Sequence, residues 1–425
     1  MLKKTPLLPF ILITSLFLMW GLANNMTDTL LSAFKRIMSM SDFQTTFVQY
    51  AFYGAYFCLA IPAAVLIKKF TYKTGILIGL ALFIIGSLLF YPASKTMVYG
   101  HFLAALFILA GGLSILETSA NPYIVAMGPE ETGTQRLNLA QSFNPIGSII
   151  GVLLSKLFIL SELNRAGEAE RASMSPEQLQ AIQSEELTGV MGPYVGVAFF
   201  LMLLWVLIFF NRMPTSSDED SNLNFGAAWG RLLGKRSYVW AVTALFFYMG
   251  AQIGTWSFTI RYVMKELNLN EEQSADYYLA ALILFLASRF VCTYLMRFIS
   301  PRNLLAGLAL LGMVLTGVVI STGGYVGVIA LVGISGCLSL MFPTIYGLGL
   351  RGLGQDTKIG GSGLIMAILG GAVLTGIQGQ ISDATQSINL SFLLPLFCLG
   401  VVLYFALKEA SPVPDNSKVA VPDGV

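Results

Sequence analysis

The residues of this chain whose types could support chemistry are acids and amides inside long apolar runs. Glu117 lies sixteen residues after His101, where one such run begins. The next run carries three amides, Asn138, Gln141 and Asn144, spaced three residues apart. That spacing predicts that they share a face of one helix. A carboxylate so deep in hydrocarbon is costly and is tolerated mainly beside a cavity or a proton path.

A single acid on one helix that faces amides on the next is typical of a polar binding site inside a membrane. Asn121, four residues after Glu117, belongs to the same candidate set. Polar side chains in membrane helices can also serve only to join helices. For Asn138 both interpretations remain open. For Glu117 a functional role is favoured, because an ionisable group joins helices at a much higher cost than an amide does.

A second polar patch lies near the end of the first apolar run, in the sequence WGLANNMTDTLLSAF. Asn25 and Asp28 are three residues apart and therefore share a helix face. Asp28 is a candidate for proton coupling and for ligand binding. The alternative is an acid at the membrane interface whose side chain reaches water.

Arg289 interrupts the apolar sequence ALILFLASRFVCTYL and is the only cation well inside a predicted span. It is expected to pair with an acid or to line a cavity, in a structural or a functional role. Four aromatic residues could offer apolar faces to a sugar-like ring, although aromatic residues at helical spacing more often simply pack. They are Trp20, Trp256, Phe258 and Tyr262.

The composition defines the class of protein. Hydrophobic residues make up 55% of the 425 residues, charged residues 11%, and the mean hydropathy is +0.72. Soluble domains carry about 25% charged residues, so the composition predicts a polytopic membrane protein. No enzyme motif, nucleotide-binding motif or basic cluster for nucleic acid is present. The four cysteines lack metal-site spacing and are predicted to be buried apolar residues.

Twelve apolar segments are long enough to cross a membrane at about 20 residues each. They are predicted at 8–33, 44–67, 74–94, 98–127, 135–160, 191–211, 237–263, 273–299, 302–322, 325–350, 358–382 and 386–408. With a cytoplasmic N-terminus, the inside segments hold sixteen Lys and Arg residues and the outside segments hold eight. The excess of positive charge inside therefore predicts that both termini are cytoplasmic.

The chain is predicted to consist of two similar halves. The sequences KFTYKTGILIGLAL (69–82) and RFISPRNLLAGLAL (297–310) match at both ends with one shift of 228 residues. Parallel halves with a site between them are the layout of a large class of transporters. The predicted divisions are a six-helix bundle, a cytoplasmic linker, a second six-helix bundle and a flexible tail, at 1–212, 213–235, 236–410 and 411–425. Residues 161–190 are expected to form an external loop with a short helix after Ser175.

Five stretches of the sequence resemble one family. They are NNMTD (24–28), LETSANPYIVAMGPEETGTQRLNLAQSFN (116–144), MSPEQL (174–179), GAQIGTWSFTIRY (250–262) and FPTIYGLGLRGLGQDTKIGGS (342–362). They resemble the fucose:proton symporter family of the major facilitator superfamily, and within it the bacterial L-fucose permeases. The resemblance implies an all-α polytopic membrane protein with twelve transmembrane helices in two six-helix bundles. It also implies alternating access and proton-coupled import of a monosaccharide, L-fucose first, across the bacterial inner membrane.

The resemblance also implies roles for individual residues. The family's membrane acids match Asp28 and Glu117, and its sugar-contacting amides match Asn25, Gln141 and Asn144. No metal and no cofactor is implied, since the proton is the coupling ion. The complete predicted substrate-binding set is Asn25, Asp28, Asn121, Gln141, Asn144 and Trp256.

Two departures from the family pattern leave other substrates open. Thr27 stands at the fourth place of the expected N-N-x-N-D, and Phe342 stands where a tyrosine is expected before Pro-Thr-Ile. Each departure removes one possible hydrogen bond to a sugar. The alternative is therefore another hexose (glucose, galactose or N-acetylglucosamine) or coupling to sodium. A passive channel and a membrane sensor are the rival classes. The expected partners are the sugar, protons and the lipid bilayer, with no nucleic acid, and the chain is expected to be a monomer.

Overall fold

The computed structural model describes residues 6–37, 42–159, 170–171, 173–213 and 225–408. All regular elements within these ranges are helices. Each of the twelve predicted spans coincides with one helix or with two consecutive helices. Ten of these are long and apolar enough to cross a membrane, as expected for a multi-pass membrane protein.

The described residues of the N-terminal half form seven α-helices. They are α1 (Leu7–Ile37), α2 (Asp42–Lys69), α3 (Tyr72–Thr96), α4 (Tyr99–Ala126), α5 (Gly133–Gln141), α6 (Phe143–Leu154) and α7 (Pro176–Phe210). α1 is less apolar than its neighbours, because its apolar part, Leu7–Ala23, is followed by the polar patch. The Thr71 side chain caps α3 by accepting a hydrogen bond from the backbone of Thr74, which starts that helix directly after α2.

The C-terminal half begins with a short helix and continues with the second set of spans. Its helices are α8 (Phe225–Gly234), α9 (Arg236–Leu267), α10 (Glu271–Leu295), α11 (Pro301–Ser321), α12 (Gly324–Leu338), α13 (Met341–Gly349), α14 (Thr357–Met366), α15 (Gly370–Thr385), α16 (Ile388–Ser391) and α17 (Leu393–Lys408). Three predicted spans of this half are thus each built from two helices, as the span 135–160 of the N-terminal half is from α5 and α6. The breaks matter because they free backbone groups inside the bundle.

Two predicted loops contain more helix than the sequence suggested. The helix expected after Ser175 does begin there, with a capping box between Ser175 and Gln178. It is not a separate short helix, however, because it continues without interruption to Phe210 and includes the sixth span. Strong helix formers follow the cap and explain this continuation. The predicted linker contains α8, while residues 160–169, 172 and 214–224 lie outside the described residues.

The outer surface of the bundle is apolar and its interior holds polar groups. Phe199, Leu203 and Phe210 on α7 are each more than half exposed. Glu117, by contrast, is buried. This is the arrangement expected of helices whose solvent is lipid. Cys58 lies on such an outward face and is exposed, so the prediction that all four cysteines are buried was wrong for this one.

α1 and α6 approach so closely that only glycine fits at their crossing. A Cβ on Gly21 would overlap the carbonyl oxygen of Asn144, and a Cβ on Gly147 would overlap the carbonyl oxygen of Leu18. Small residues at membrane-helix interfaces permit this kind of backbone contact. Because Asn144 lies at the crossing itself, the two glycines also set the position of its side chain.

We expect Gly147→Ala to destabilise the protein by about 1–3 kcal/mol, because the added methyl group overpacks the crossing. The measurement is the melting temperature of the purified protein. Gly192→Ala on α7 is the matched control, because a Cβ there meets no atom within 4 Å. The control should be neutral or slightly stabilising, since alanine favours helix over glycine. Equal melting temperatures for the two variants would contradict the prediction.

Candidate functional site

A cavity of about 230 Å³ lies between the two halves. Drug-sized ligands occupy pockets of about 300–1,000 Å³, so this cavity suits a ligand the size of one sugar ring. Both halves contribute to its wall, as expected for a site between two repeats. Eight residues that the sequence singled out line it: Trp20, Asn25, Glu117, Gln141, Asn144, Trp256, Arg289 and Phe342.

Glu117 projects from the middle of α4 and is only 3% exposed. The Tyr56 hydroxyl on α2 donates a hydrogen bond to Oε1 of Glu117 at 3.0 Å. The second carboxyl oxygen, Oε2, is buried and has no partner among the described residues. A carboxyl group in such surroundings is stable mainly when it is protonated or hydrogen-bonded. It is therefore well placed to take up and release a proton.

Asn121 lies behind the cavity wall rather than on it. Its side chain is fully buried, and Oδ1 accepts a hydrogen bond of 2.8 Å from Nε2 of Gln141. Gln141 itself borders the cavity. Asn121 therefore holds the amide of Gln141 in place, and its own direct ligand role stays a prediction.

Asn25 and Asn144 border the cavity from the crossing of α1 and α6. Nδ2 of Asn25 donates to the Gly21 carbonyl at 3.2 Å, and Nδ2 of Asn144 approaches the Phe17 carbonyl at 3.4 Å. Their donor groups are thus directed to backbone carbonyls of α1. Two amides from neighbouring helices therefore lie on the same wall, as the sequence predicted.

Asn138 does not share the cavity-facing position of Gln141 and Asn144. Its Nδ2 donates to the Thr134 carbonyl at 2.9 Å and to the Thr344 hydroxyl in the other half at 3.2 Å. The predicted common face fails for Asn138 alone: it lies on α5 together with Gln141 but is buried against the other half, whereas Gln141 and Asn144 border the cavity on either side of the turn at Ser142. Of the two interpretations of Asn138, the structure supports the one in which it joins helices.

Arg289 links the two halves through backbone carbonyls. It donates from Nη1 to the Gln141 carbonyl at 2.9 Å and from Nε to the Ser339 carbonyl at 2.5 Å. The residues four positions after these two are Pro145 and Pro343. Since proline has no N–H, both carbonyls lack their helical partner and can accept from Arg289. The predicted acid partner is absent among the described residues, while the predicted position on a cavity wall is confirmed.

Arg289 also stacks on an aromatic wall. Its guanidinium lies 4.6 Å from the centre of the Phe285 ring. Trp256 meets the same ring edge to face at 5.0 Å, and its Nε1 donates to the Ser335 hydroxyl at 3.2 Å. Trp20 lines the opposite half of the cavity. These rings provide the apolar faces that were predicted from the sequence.

The other two aromatic candidates serve packing. Phe258 is buried and does not border the cavity. Tyr262 is buried as well, and its hydroxyl donates to the Val319 carbonyl at 2.9 Å. This outcome is the commoner one for aromatic residues at helical spacing.

Asp28 and Thr27 lie on α1, but their side chains are outside the part of the chain that the structure describes. The role of Asp28 in proton coupling and sugar binding therefore stays a prediction.

Sequence reasoning missed several residues of the cavity wall. Tyr56 was not singled out, although it is the partner of Glu117. Gln252, Tyr53 and Tyr278 also line the cavity. Gln252 carried a usable signal, because it lies four residues before Trp256 in an apolar helix and so shares its face. The tyrosines carried no such signal, since their spacing is that of aromatic residues that simply pack.

Hydrogen bonds between the halves lie near one end of the cavity. Besides the Asn138 bond, Nε2 of Gln135 donates to the Thr293 carbonyl at 3.1 Å. Further toward the same end, the Gly352 amide approaches Oε1 of Glu130 at 3.4 Å. Glu130 and Gly352 lie on turns that are predicted to be cytoplasmic. The halves are therefore closed against each other at the predicted cytoplasmic end of the cavity.

Comparison with known proteins agrees with this architecture. A family model of the Major Facilitator Superfamily matches residues 10–376. The L-fucose-proton symporter of Escherichia coli (strain K12) is 40% identical over 95% of this chain and 93% of its own length. The glucose/galactose transporter of Brucella abortus biovar 1 (strain 9-941) is 32% identical over 93% of this chain and 92% of its own length.

The solved structure of FucP, a Major Facilitator Superfamily transporter in the outward conformation, superposes with a TM-score of 0.90 at 39% identity. The match covers 95% of this chain and 99% of FucP. Two packed helical halves around a central polar cavity define a membrane transporter. The chain belongs to the Major Facilitator Superfamily and, within it, to the family of sugar transporters that includes the L-fucose-proton symporters.

Proposed function

We propose that this protein imports L-fucose together with protons across the bacterial inner membrane by alternating access. The observation that carries the proposal is a buried carboxyl group, Glu117, on the wall of a cavity the size of one sugar. The 40% identity to an L-fucose-proton symporter over nearly the whole chain supports the same substrate and ion. The closed cytoplasmic end fits a state that receives sugar from outside.

The chemistry of the wall suits a neutral sugar. Sugar hydroxyls both donate and accept hydrogen bonds, and amides can do the same. Asn25, Gln141 and Asn144 supply three amides on one side, while Trp256 supplies an apolar face on the other. No cofactor is required, because the proton is the coupling ion. The whole cavity is formed by one chain, so we propose a monomer. From the excess of positive charge in the predicted inside segments, we also propose that both termini lie in the cytoplasm.

The test is uptake of labelled L-fucose into vesicles that contain the purified protein, with and without an inward proton gradient. We expect accumulation against the sugar gradient only when the proton gradient is present. L-Fucose should also make the external medium more alkaline as protons enter. Equilibration without accumulation would indicate a passive facilitator, and absence of any uptake would contradict the proposal.

A second candidate is transport of another hexose, because a relative at 32% identity is a glucose/galactose transporter. Phe342 borders the cavity without a hydroxyl group, which leaves one fewer hydrogen bond for a sugar. Competition by L-fucose, glucose, galactose and N-acetylglucosamine in the same vesicles separates the candidates. An imposed sodium gradient in place of the proton gradient tests the coupling ion.

Alanine substitution of the three amides should weaken sugar binding. We expect Asn25→Ala, Gln141→Ala and Asn144→Ala each to cost about 1–3 kcal/mol of binding free energy, because a buried polar partner is left unpaired. The measurement is the Kd for L-fucose. Gln378→Ala is the control, since Gln378 is a buried amide outside the cavity. Unchanged affinity in all three variants would place the sugar site elsewhere.

A further inference from the structure

Two buried polar atoms beside the cavity have no partner among the described residues. One is Oε2 of Glu117, which is an acceptor when the acid is ionised, and the other is Nδ2 of Asn121, which is a donor. The two residues are four positions apart on α4, so their side chains are neighbours on one helix face. An unpaired donor and an unpaired acceptor in the interior are both costly. A hydrogen bond between them would satisfy both.

The other end of the Asn121 amide is already engaged. Its Oδ1 accepts the hydrogen bond from Nε2 of Gln141 at 2.8 Å. This bond uses the donor group of Gln141, while Oε1 of Gln141 makes no hydrogen bond with a described residue. Since Gln141 borders the cavity, Oε1 is left to accept from a ligand hydroxyl. Asn121 thus determines which end of the Gln141 amide is offered to the ligand.

We propose that Asn121 is a positioning residue that transmits the protonation state of Glu117 to the sugar-binding amide of Gln141. The inference rests on the proposed function, proton-coupled sugar import. When Glu117 is ionised, Oε2 accepts from Nδ2 of Asn121, and this bond holds Oδ1 toward Gln141. When Glu117 binds a proton, its carboxyl group becomes a donor and competes for Oδ1 of Asn121. Nε2 of Gln141 is then released and can donate to the sugar.

Other charged or titratable groups pack around this chain of bonds. Tyr56 from α2 donates to Oε1 of Glu117, and the Tyr346 hydroxyl from α13 donates to the Gly361 carbonyl at 3.4 Å. Arg289 borders the cavity, and the remaining groups lie toward the predicted cytoplasmic end: Tyr72, Tyr123, Arg136 and Lys358. Arg136 donates to carbonyls at the end of α4, and Lys358 lies over the ring of Tyr72. None of these donates to Oε2 of Glu117 or accepts from Nδ2 of Asn121 among the described residues.

The test compares the Kd for L-fucose at pH 6 and pH 8 in the purified full-length protein. Coupled ligands typically change each other's affinity by about 5–150-fold. The ratio of the two Kd values should therefore be at least about fivefold in the parent. Asn121→Leu has a similar volume and removes both ends of the amide. Its ratio should fall to about 1, while exchange of sugar for sugar persists and shows that the variant is folded.

A second variant tests the same inference in case Asn121→Leu does not fold. In Asn121→Ser the short hydroxyl should bond the carbonyl four residues earlier, as the Ser119 hydroxyl does with the Ile115 carbonyl at 2.7 Å. That carbonyl belongs to the backbone of Glu117, so the hydroxyl reaches neither the Glu117 carboxyl group nor the Gln141 amide, and the ratio should again approach 1. Thr118→Val is the control, because Thr118 is buried with an unpaired hydroxyl next to Glu117. It should keep the parent ratio.

The outcomes separate the inference from the proposed function. If the parent responds to pH and both Asn121 variants keep its ratio, Asn121 does not transmit protonation, and the proposed function stands. A parent that accumulates sugar with the proton gradient but binds it equally at both pH values also overturns the inference alone. A parent that neither binds L-fucose nor accumulates it overturns the proposed function.

Discussion

Replacing Glu117 by glutamine is expected to abolish accumulation of L-fucose while leaving exchange of sugar for sugar intact. Glutamine copies the protonated carboxyl group, so it keeps the cavity wall and can still pair with the Tyr56 hydroxyl. It cannot lose a proton, however, and coupling requires both charge states. We therefore expect the accumulation ratio under a proton gradient to fall to about 1. Counterflow without a gradient should remain near the parent rate.

The measurement is paired, with both assays on the same vesicles. Glu131→Gln is the control, because Glu131 is an exposed acid on the turn after α4, and it should behave like the parent. If Glu117→Gln still accumulates sugar, Glu117 is not the coupling site. Asp28→Asn is expected to impair uptake as well, with the larger effect on sugar binding.

Arg289→Ala is expected to have the second large effect, on stability and on uptake together. It removes two hydrogen bonds from a charged donor to the Gln141 and Ser339 carbonyls. Each such bond contributes about 1.5–3 kcal/mol. The freed carbonyls cannot recover a helical partner, because the residues four positions on are Pro145 and Pro343. We expect a loss of roughly 3–6 kcal/mol and little functional protein in the membrane.

Arg289→Lys should restore only part of the loss, since lysine lacks the planar fork that reaches two carbonyls in fixed directions. Arg297→Ala is the control. Arg297 also lies over an aromatic ring, that of Tyr294 at 5.2 Å, but it is exposed. Yield, melting temperature and uptake together form the measurement. Parent-like values for Arg289→Ala would show that the two carbonyls are satisfied in another way.

Much of the fold could be predicted from the sequence because lipid imposes simple rules. Apolar runs of membrane length each became a helix or a helix pair, and the internal repeat indicated two halves around a site. Deep polar residues also gave a strong signal. Glu117, Gln141 and Asn144 were singled out by type and depth, and all three line the cavity.

The finer arrangement could not be predicted, because it depends on contacts between distant segments. Asn138 and Thr344 are bonded across 206 positions, and no local pattern reveals that pairing. Asn138 is thereby held against the other half, while the two amides that follow it border the cavity. Arg289 was expected to pair with an acid or to line a cavity; it borders the cavity and donates to two carbonyls that prolines leave without a helical partner. Pro145 and Pro343 were visible in the sequence, yet only the fold shows which donor their free carbonyls meet.

The pairing of Arg289 with neutral carbonyls has a consequence for the energetics of transport. Arginine stays charged inside proteins, and no described acid neutralises it. Glu117 and Arg289 are the only charged residues among the described lining of the cavity. With Glu117 ionised, their charges sum to zero, and with Glu117 protonated the pair carries one positive charge. A membrane potential that is negative inside, worth about 2.3 kcal/mol per charge per 100 mV, would then pull the proton-loaded site inward. The same potential would not oppose the return of the empty site, because its two charges sum to zero.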